Sequence, residues 1–146
     1  MERKEFIASS CKLCMLAAAG YFLPKLSGCS PSYAVYKTEI ADKKITMPLS
    51  MFSQSPVQFV RPRGWYYDIA VTKNADNTFS ALLMMCTHQE NQLTPNAKNG
   101  YTCSLHGSQF DANGYVRKGP AQQPLERYET STENNNLIIK ILKPPF

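Results

Sequence analysis

Two short cysteine–histidine pairs constrain this 146-residue chain more than any other feature of its sequence. Cys86 and His88 form a Cys-x-His pair, and Cys103 and His106 form a Cys-x-x-His pair. Fourteen residues separate the pairs, which together contain both histidines of the protein. Two thiolates and two imidazoles carried on two loops predict a four-ligand metal site.

Two kinds of metal centre fit these four side chains. A structural zinc ion takes two cysteines and two histidines at comparable spacings. A cluster of two irons and two sulfides takes the same set when both cysteines bind one iron and both histidines bind the other. The ligand types by themselves leave both centres open. An accidental convergence of every histidine with two cysteines is the least favoured interpretation.

The first 29 residues predict a targeting segment. Their basic start precedes an apolar run at residues 13–23, which has the length of a signal-peptide core and is short for a membrane span. Arg3-Lys4-Glu5-Phe6-Ile7 resembles a twin-arginine export signal with lysine as the second basic residue. Leu26-Ser27-Gly28-Cys29 resembles a bacterial lipobox, so Cys29 is the expected lipidation site. We therefore expect a leader at 1–29 and a folded domain at 30–146; an amphipathic N-terminal helix is the alternative.

Cysteine usage and charge narrow the class of protein further. Three of the five cysteines lie within the leader, so the folded part has no spare cysteines for a disulfide scaffold. The net charge is +5, but no run of lysine and arginine alternates with aromatic residues. Nucleic-acid binding is therefore not expected.

After residue 30 the sequence predicts strands and no helix. The continuous apolar run at 81–85 is typical of a central strand, and turns are expected at 73–77 and at 111–114, where Asn-Gly supplies a positive φ. The β-favouring runs are residues 33–38, 44–48, 57–60, 65–72, 79–85 and 137–142. The expected fold class is all-β, a small sandwich or barrel of antiparallel strands with the metal loops inserted between later strands.

The stretch from Cys86 to Tyr128 resembles the Rieske iron–sulfur domain. That pattern is Cys-x-His, a spacer, Cys-x-x-His-Gly-Ser, an aromatic residue, a β-turn and a Gly-Pro loop. The resemblance is close over about forty residues and looser over the preceding body. It implies one [2Fe-2S] cluster per chain, held by a cluster-binding part at about residues 84–128.

The resemblance also implies a role for each ligand. Cys86 and Cys103 would bind one iron. His88 and His106 would bind the other, more exposed iron. Because two neutral imidazoles replace two thiolates, the cluster carries less negative charge and is easier to reduce than an all-cysteine cluster.

Five further residues match cluster-binding positions of the family. Ser108 has the position of a hydroxyl donor to a bridging sulfide, which would raise the potential. Gly107 would let the backbone pass close to the inorganic sulfur. Gly119 and Pro120 match the loop that covers the cluster. Phe110 stands where high-potential members carry a tyrosine whose hydroxyl bonds a ligand sulfur.

Two further positions depart from the quinol-oxidising members of the family. Asn91 and Leu105 occupy the places of two cysteines that form a disulfide between the ligand loops in many of those proteins. Together with Phe110, they indicate the ferredoxin-like and oxygenase-associated branch. We therefore expect a lower midpoint potential than in cytochrome bc-type proteins.

The chain is expected to transfer electrons rather than to catalyse a reaction alone. No histidine remains to build a second, catalytic iron site. The expected protein is an electron carrier, or a small subunit of an oxidoreductase, that exchanges electrons with redox protein partners. With the leader, the expected location is the periplasm-facing bacterial cell envelope, with the protein anchored to the membrane by lipid. A cytoplasmic ferredoxin serving an oxygenase, and a zinc-stabilised β binding domain, are the alternatives.

Overall fold

The computed structural model describes residues 33–145, and these form a nearly all-β unit. One 3₁₀ turn, Leu49–Phe52, is the only helical element in this range, and no helix there is long and apolar enough to span a membrane. The strands are β1 (Val35–Thr38), β2 (Lys44–Pro48), β3 (Val57–Pro62), β4 (Ile69–Lys73), β5 (Phe79–Leu83), β6 (Leu93–Pro95), β7 (Tyr101–Cys103), β8 (Gln109–Phe110), β9 (Val116–Lys118), β10 (Arg127–Glu133) and β11 (Asn136–Lys140). The expected all-β class is confirmed. The expected leader and its boundary after residue 29 lie outside the described residues.

Seven strands form the larger sheet, in the order β1-β3-β4-β5-β10-β11-β2. The strand pairs are antiparallel as expected, with one exception, because β1 runs parallel to β3. Between these strands the chain forms β2 at the opposite end of the sheet. Such a long crossover is what a parallel pair requires, whereas a tight hairpin makes an antiparallel one.

The central strand β5 separates two hydrophobic cores. Ala81 and Leu83 belong to the core of the larger sheet, whereas Leu82 and Met84 belong to a second core with the ligand loops. Successive side chains of a strand point to opposite faces, so both faces of β5 are buried. This explains the continuous apolar run and confirms that its strand is central.

The four-stranded sheet β6-β7-β8-β9 is inserted between β5 and β10. Strands β5 and β10 pair directly, with Leu82 opposite Arg127 and Ala81 opposite Tyr128. The inserted sheet therefore leaves and re-enters the larger sheet at neighbouring strands. The predicted insertion of the metal loops between later strands is confirmed.

Five strands were not predicted from the sequence. Strands β6 to β9 have only two or three residues, too few for an alternation to show. Strand β10 is polar, and Tyr128 is its only fully buried residue. Its hairpin with β11 turns through Asn134 and Asn135, both with positive φ. Strand β4 also begins at Ile69 rather than at residue 65.

Both predicted turns occur. Asn77, with φ 62°, closes the connection from β4 to β5. In the turn between β8 and β9, only Gly114 of the Asn-Gly pair has a positive φ, 83°. A Cβ on Gly114 would also lie 3.2 Å from side-chain atoms of Leu82 and Leu125, so both backbone conformation and packing require glycine there.

Candidate metal centre

The first ligand loop joins β5 to β6 and is closed by the backbone of Cys86. The Cys86 N–H donates to the carbonyl of Asn91 at 2.8 Å, and the Glu90 N–H donates to the carbonyl of Cys86 at 2.8 Å. Glu90 adopts φ 51°. The Tyr67 hydroxyl donates to the Glu90 carbonyl at 2.6 Å, so the far side of the loop is fixed to the segment before β4.

The second ligand loop, between β7 and β8, repeats this bonding. The Cys103 N–H donates to the carbonyl of Ser108 at 2.9 Å, and the Gly107 N–H donates to the carbonyl of Cys103 at 3.0 Å. Gly107 has φ 75°, and no protein atom lies within 4 Å of the place a Cβ would take. Backbone conformation rather than protein crowding therefore calls for glycine here. The two loops make the same bonds, four and five residues after their cysteines.

The structure brings the four predicted ligands together as a buried pair and an exposed pair. The free thiols Cys86 and Cys103 are 1% and 2% exposed. His88 and His106 are exposed, and their ring centroids lie 5.0 Å apart. Two separate pairs are the arrangement that fits a two-iron cluster with its cysteines and histidines on different irons.

The surroundings of Cys103 favour its thiolate. Burial alone would raise the pKa of this thiol, but the backbone N–H groups of His106 and Leu105 lower it. The side chains of Cys86 and Asn91 lower the pKa further, to below its ordinary value. The thiolate is the form of cysteine that binds metals, so this electrostatic environment suits a ligand.

A third loop, which contains Gly119 and Pro120, is tied to both ligand loops. The hydroxyl oxygen of the fully buried Ser108 accepts the N–H of Ala121 at 3.0 Å. The Thr87 hydroxyl of the first loop donates to the carbonyl of Gln123 at 2.7 Å. Gly119 and Pro120 themselves are exposed and joined by a cis peptide bond.

The positions that depart from the quinol-oxidising pattern lie in different environments. Phe110 is 2% exposed and packs in the second core together with Cys86 and Cys103. Leu105 is 55% exposed and stands beside His106 in the chain. Asn91 is half-buried, and its side-chain nitrogen lies 3.7 Å from the sulfur of Cys103.

A buried ionic network that the sequence did not predict supports the first ligand loop. The fully buried Asp68 accepts hydrogen bonds from Arg61 at 2.6 and 3.0 Å and from the Tyr33 hydroxyl at 2.7 Å. Gln92 accepts the Asp68 N–H at 3.1 Å, and its amide lies 3.3 Å from the Asp68 carboxylate. Asp68 chiefly raises the pKa of Arg61, while burial and then Asp68 raise that of Tyr33. The indication of this network in the sequence is that Asp68 lies within an aromatic and apolar run.

Comparison with known proteins accounts for the two paired loops. Residues 48–129, more than half of the chain, match the family model of the Rieske [2Fe-2S] domain. The chain belongs to the Rieske [2Fe-2S] domain family. The resemblance noted in the ligand motifs is therefore confirmed.

Several Rieske proteins are similar to this chain over most of its length. The cytochrome b6-f complex iron-sulfur subunit 1 of Nostoc sp. is 28% identical over 124 residues, which are 82% of this chain and 68% of that protein. The cytochrome b6-f complex iron-sulfur subunit of Synechococcus elongatus is 31% identical over 125 residues, with the same two shares. These relatives support the same family assignment.

Solved structures support the same fold. The cyanobacterial plasma membrane Rieske protein PetC3 from Synechocystis PCC 6803 matches with a TM-score of 0.53 and 27% identity, over 64% of this chain and 94% of that one. Naphthalene 1,2-dioxygenase matches with a TM-score of 0.54 and 20% identity, over 73% of this chain and 28% of that one, and shares the fold.

Membership of the Rieske family decides between the two metal centres that the ligand types left open. The protein binds one [2Fe-2S] cluster, and the structural zinc alternative is set aside. It is a Rieske-type electron-transfer protein that acts with redox partners.

Proposed function

We propose that this Rieske protein passes single electrons between protein partners, either as a free carrier or as a small subunit of a bacterial envelope oxidoreductase. The exposed pair His88 and His106, next to a buried thiol pair, is the observation that carries the proposal. When bound, the cluster accepts and releases one electron. A partner that contacts the two imidazoles has a short route to the metal, whereas the thiol side is enclosed by protein.

In this proposal the ligands divide by exposure. Cys86 and Cys103, which lie in the second hydrophobic core, would hold one iron. The exposed His88 and His106 would hold the other iron. The neutral imidazoles keep the total charge less negative than four thiolates would, which favours uptake of an electron.

The residues around the ligands orient and shield them. The Ser108 oxygen accepts the Ala121 N–H, which leaves its own hydrogen to be donated to a sulfur acceptor. The positive φ of Gly107 turns the second loop back towards β8. The loop with Gly119 and Pro120, held through Ser108 and through Thr87, excludes water from this side.

We expect the midpoint potential to lie below that of quinol-oxidising members. Phe110 has no hydroxyl to donate to a ligand sulfur, and Asn91 and Leu105 stand at the two disulfide positions. A donor to a ligand sulfur stabilises the more negative reduced state, so its loss lowers the potential. A redox titration with a midpoint at the top of the Rieske range of roughly −150 to +300 mV would contradict this expectation.

The proposed setting is the periplasm-facing bacterial envelope. In this proposal the leader directs export of the protein, and Cys29 is lipidated. The lipobox resemblance of residues 26–29 supports it. Similar proteins include a subunit of a cytochrome b6-f complex and a plasma membrane Rieske protein, which favours a membrane setting. Release of a Cys29→Ser variant from the membrane fraction is the expected result. If the variant stays wholly in the membrane fraction, the proposal of a lipid anchor is wrong. Wild-type protein found in the cytosol would favour a ferredoxin that serves an oxygenase.

Low-temperature EPR of the anaerobically purified, dithionite-reduced protein tests the proposed centre. The expected result is a rhombic signal with the low average g value of a histidine-ligated cluster, integrating to one electron per chain. Replacing His106 with alanine should abolish that signal, whereas Gln89→Ala, an exposed change in the first loop, should keep it. An EPR-silent sample that contains stoichiometric zinc would overturn the proposal.

A further inference from the structure

Asn91 and Ser108 occupy the same place in the two ligand loops. Each lies five residues after its cysteine, and each carbonyl accepts the N–H of that cysteine, at 2.8 Å for Asn91 and 2.9 Å for Ser108. The side chain of Ser108 is fully buried and that of Asn91 is half-buried. The equivalence of the loops therefore singles out Asn91 as a second residue positioned to act on the ligands.

The amide of Asn91 reaches from the first loop to the sulfur of the second. Its nitrogen lies 3.7 Å from the Cys103 sulfur and 3.2 Å from the Gln92 carbonyl. Because a carbonyl can only accept, the amide edge that faces Gln92 must be the NH₂ group. That group has two hydrogens, so one bond to Gln92 leaves a hydrogen for Cys103.

Both chain neighbours of Asn91 are anchored to the segment that precedes β4. The Glu90 carbonyl accepts the hydroxyl of the buried Tyr67 at 2.6 Å. The Gln92 side chain accepts the N–H of the buried Asp68 at 3.1 Å and donates to its carboxylate at 3.3 Å. The short segment between these two anchors has little freedom to move, so the amide is held towards the sulfur at little further entropic cost.

We propose that Asn91 is a hydrogen-bond donor that joins the two ligand loops and raises the midpoint potential through the Cys103 sulfur. This inference rests on the proposed function, in which Cys103 is an iron ligand. A donor to a ligand sulfur stabilises the reduced state, because that state carries one more negative charge. Asn91 thus supplies a non-covalent link between loops at a position that holds a disulfide cysteine in many quinol-oxidising relatives.

Two substitutions of Asn91 separate the loss of the donor from the gain of charge. Asn91→Leu removes the donor without adding charge, and its reduction equilibrium should fall roughly tenfold, or about 59 mV for one electron. Asn91→Asp keeps the size of the side chain but turns an anionic oxygen towards the sulfur, and its potential should fall further. Asn113→Asp adds the same charge in the exposed β8–β9 turn, at the end of that hairpin away from Ser108, and should change the potential much less.

The titrations are made on the loaded proteins, with EPR recorded on the same samples. A midpoint potential does not depend on occupancy, so a partly loaded variant still reports it. If Asn91→Leu does not hold the cluster, Asn91→Ala, which also removes the donor without adding charge, takes its place. A wild-type potential in the uncharged Asn91 variant, with the histidine-ligated signal present, would overturn this inference and leave the proposed function intact. A wild-type sample without that signal would instead overturn the proposed function.

Discussion

Arg61 and Asp68 form a bidentate ion pair, with nitrogen–oxygen distances of 2.6 and 3.0 Å, and the carboxylate of this pair is fully buried. Arg61 lies on β3, and Asp68 immediately precedes β4. The same carboxylate receives hydrogen bonds from Tyr33 and from Gln92, the residue that follows the first ligand loop. That loop is therefore supported by a satisfied polar network as well as by the second hydrophobic core.

Replacing Asp68 with asparagine should weaken the whole domain. The change removes the partner of a positively charged Arg61 side chain that is 35% exposed, so part of its charge can be rehydrated. We expect a loss of about 3 kcal/mol in the free energy of unfolding, at the lower end for a broken buried pair. Urea-induced unfolding of the loaded protein, followed by circular dichroism, measures it.

The matched control is Glu39→Gln, which breaks the exposed ion pair between Arg63 and Glu39. Exposed pairs contribute little, so this variant should unfold like the wild type. Equal losses in the Asp68 and Glu39 variants would contradict the stabilising role of the buried network.

Tyr128→Phe should stabilise the protein. The Tyr128 hydroxyl is buried and has no hydrogen-bond partner among the described residues, so its removal relieves an unsatisfied polar group, worth about 1 kcal/mol at neutral pH. Burial, and then the charge of Glu126, raise the pKa of Tyr128 above its ordinary value of 10.0. The pKa of Tyr128 is therefore higher in the folded state than in the unfolded state. The contribution of this group to the free energy of unfolding is fully present below pH 10 and is lost as the pH rises further.

The test compares urea unfolding of both proteins at neutral pH and at about pH 11. The stabilising effect of the phenylalanine should be larger in alkali. The wild type loses free energy of unfolding there partly because Tyr128 ionises, and phenylalanine cannot ionise. A variant less stable than the wild type at neutral pH would show instead that the hydroxyl has a partner.

Ser108→Ala should lower the midpoint potential and destabilise the third loop. The potential falls because a hydroxyl donor near the cluster is lost, and we expect a shift on the order of 59 mV. The third loop is destabilised because the buried N–H of Ala121 loses its acceptor. This loss should lower the free energy of unfolding by about 1–3 kcal/mol. Redox titration and urea unfolding measure the two effects, with the exposed Ser104→Ala as control. An unchanged potential in the Ser108 variant would rule out the donor role.

The double variant Asn91→Cys, Leu105→Cys should form a disulfide on mild oxidation of the loaded protein, in which Cys86 and Cys103 are occupied. A link that closes a loop of about 15 residues stabilises by roughly 3 kcal/mol in the chain-entropy model. Peptide mapping identifies the bond, and urea unfolding with and without reductant measures its effect. The two single variants are the controls. Failure to form the bond would show that these residues are not at the disulfide positions of the family.

The amino-acid sequence alone determined the family, the all-β class and the candidate ligands. These depend on local information: residue types at short fixed spacings in Cys86-x-His88 and Cys103-x-x-His106, and the apolar run of β5. A continuous apolar run indicates burial on both faces wherever the neighbouring elements lie. The assignment of the four side chains to two irons stays a prediction, although the structure pairs them as it requires.

Only the tertiary structure decided how the distant parts meet. No spacing in the chain shows that β1 runs parallel to β3, because that pairing depends on where the intervening β2 finds a partner. Nor does any local pattern join Asp68 to Arg61, or Asn91 to the sulfur of Cys103. Side-chain hydrogen bonds of this kind need donor and acceptor within about 3–4 Å, and only the packed chain sets those distances.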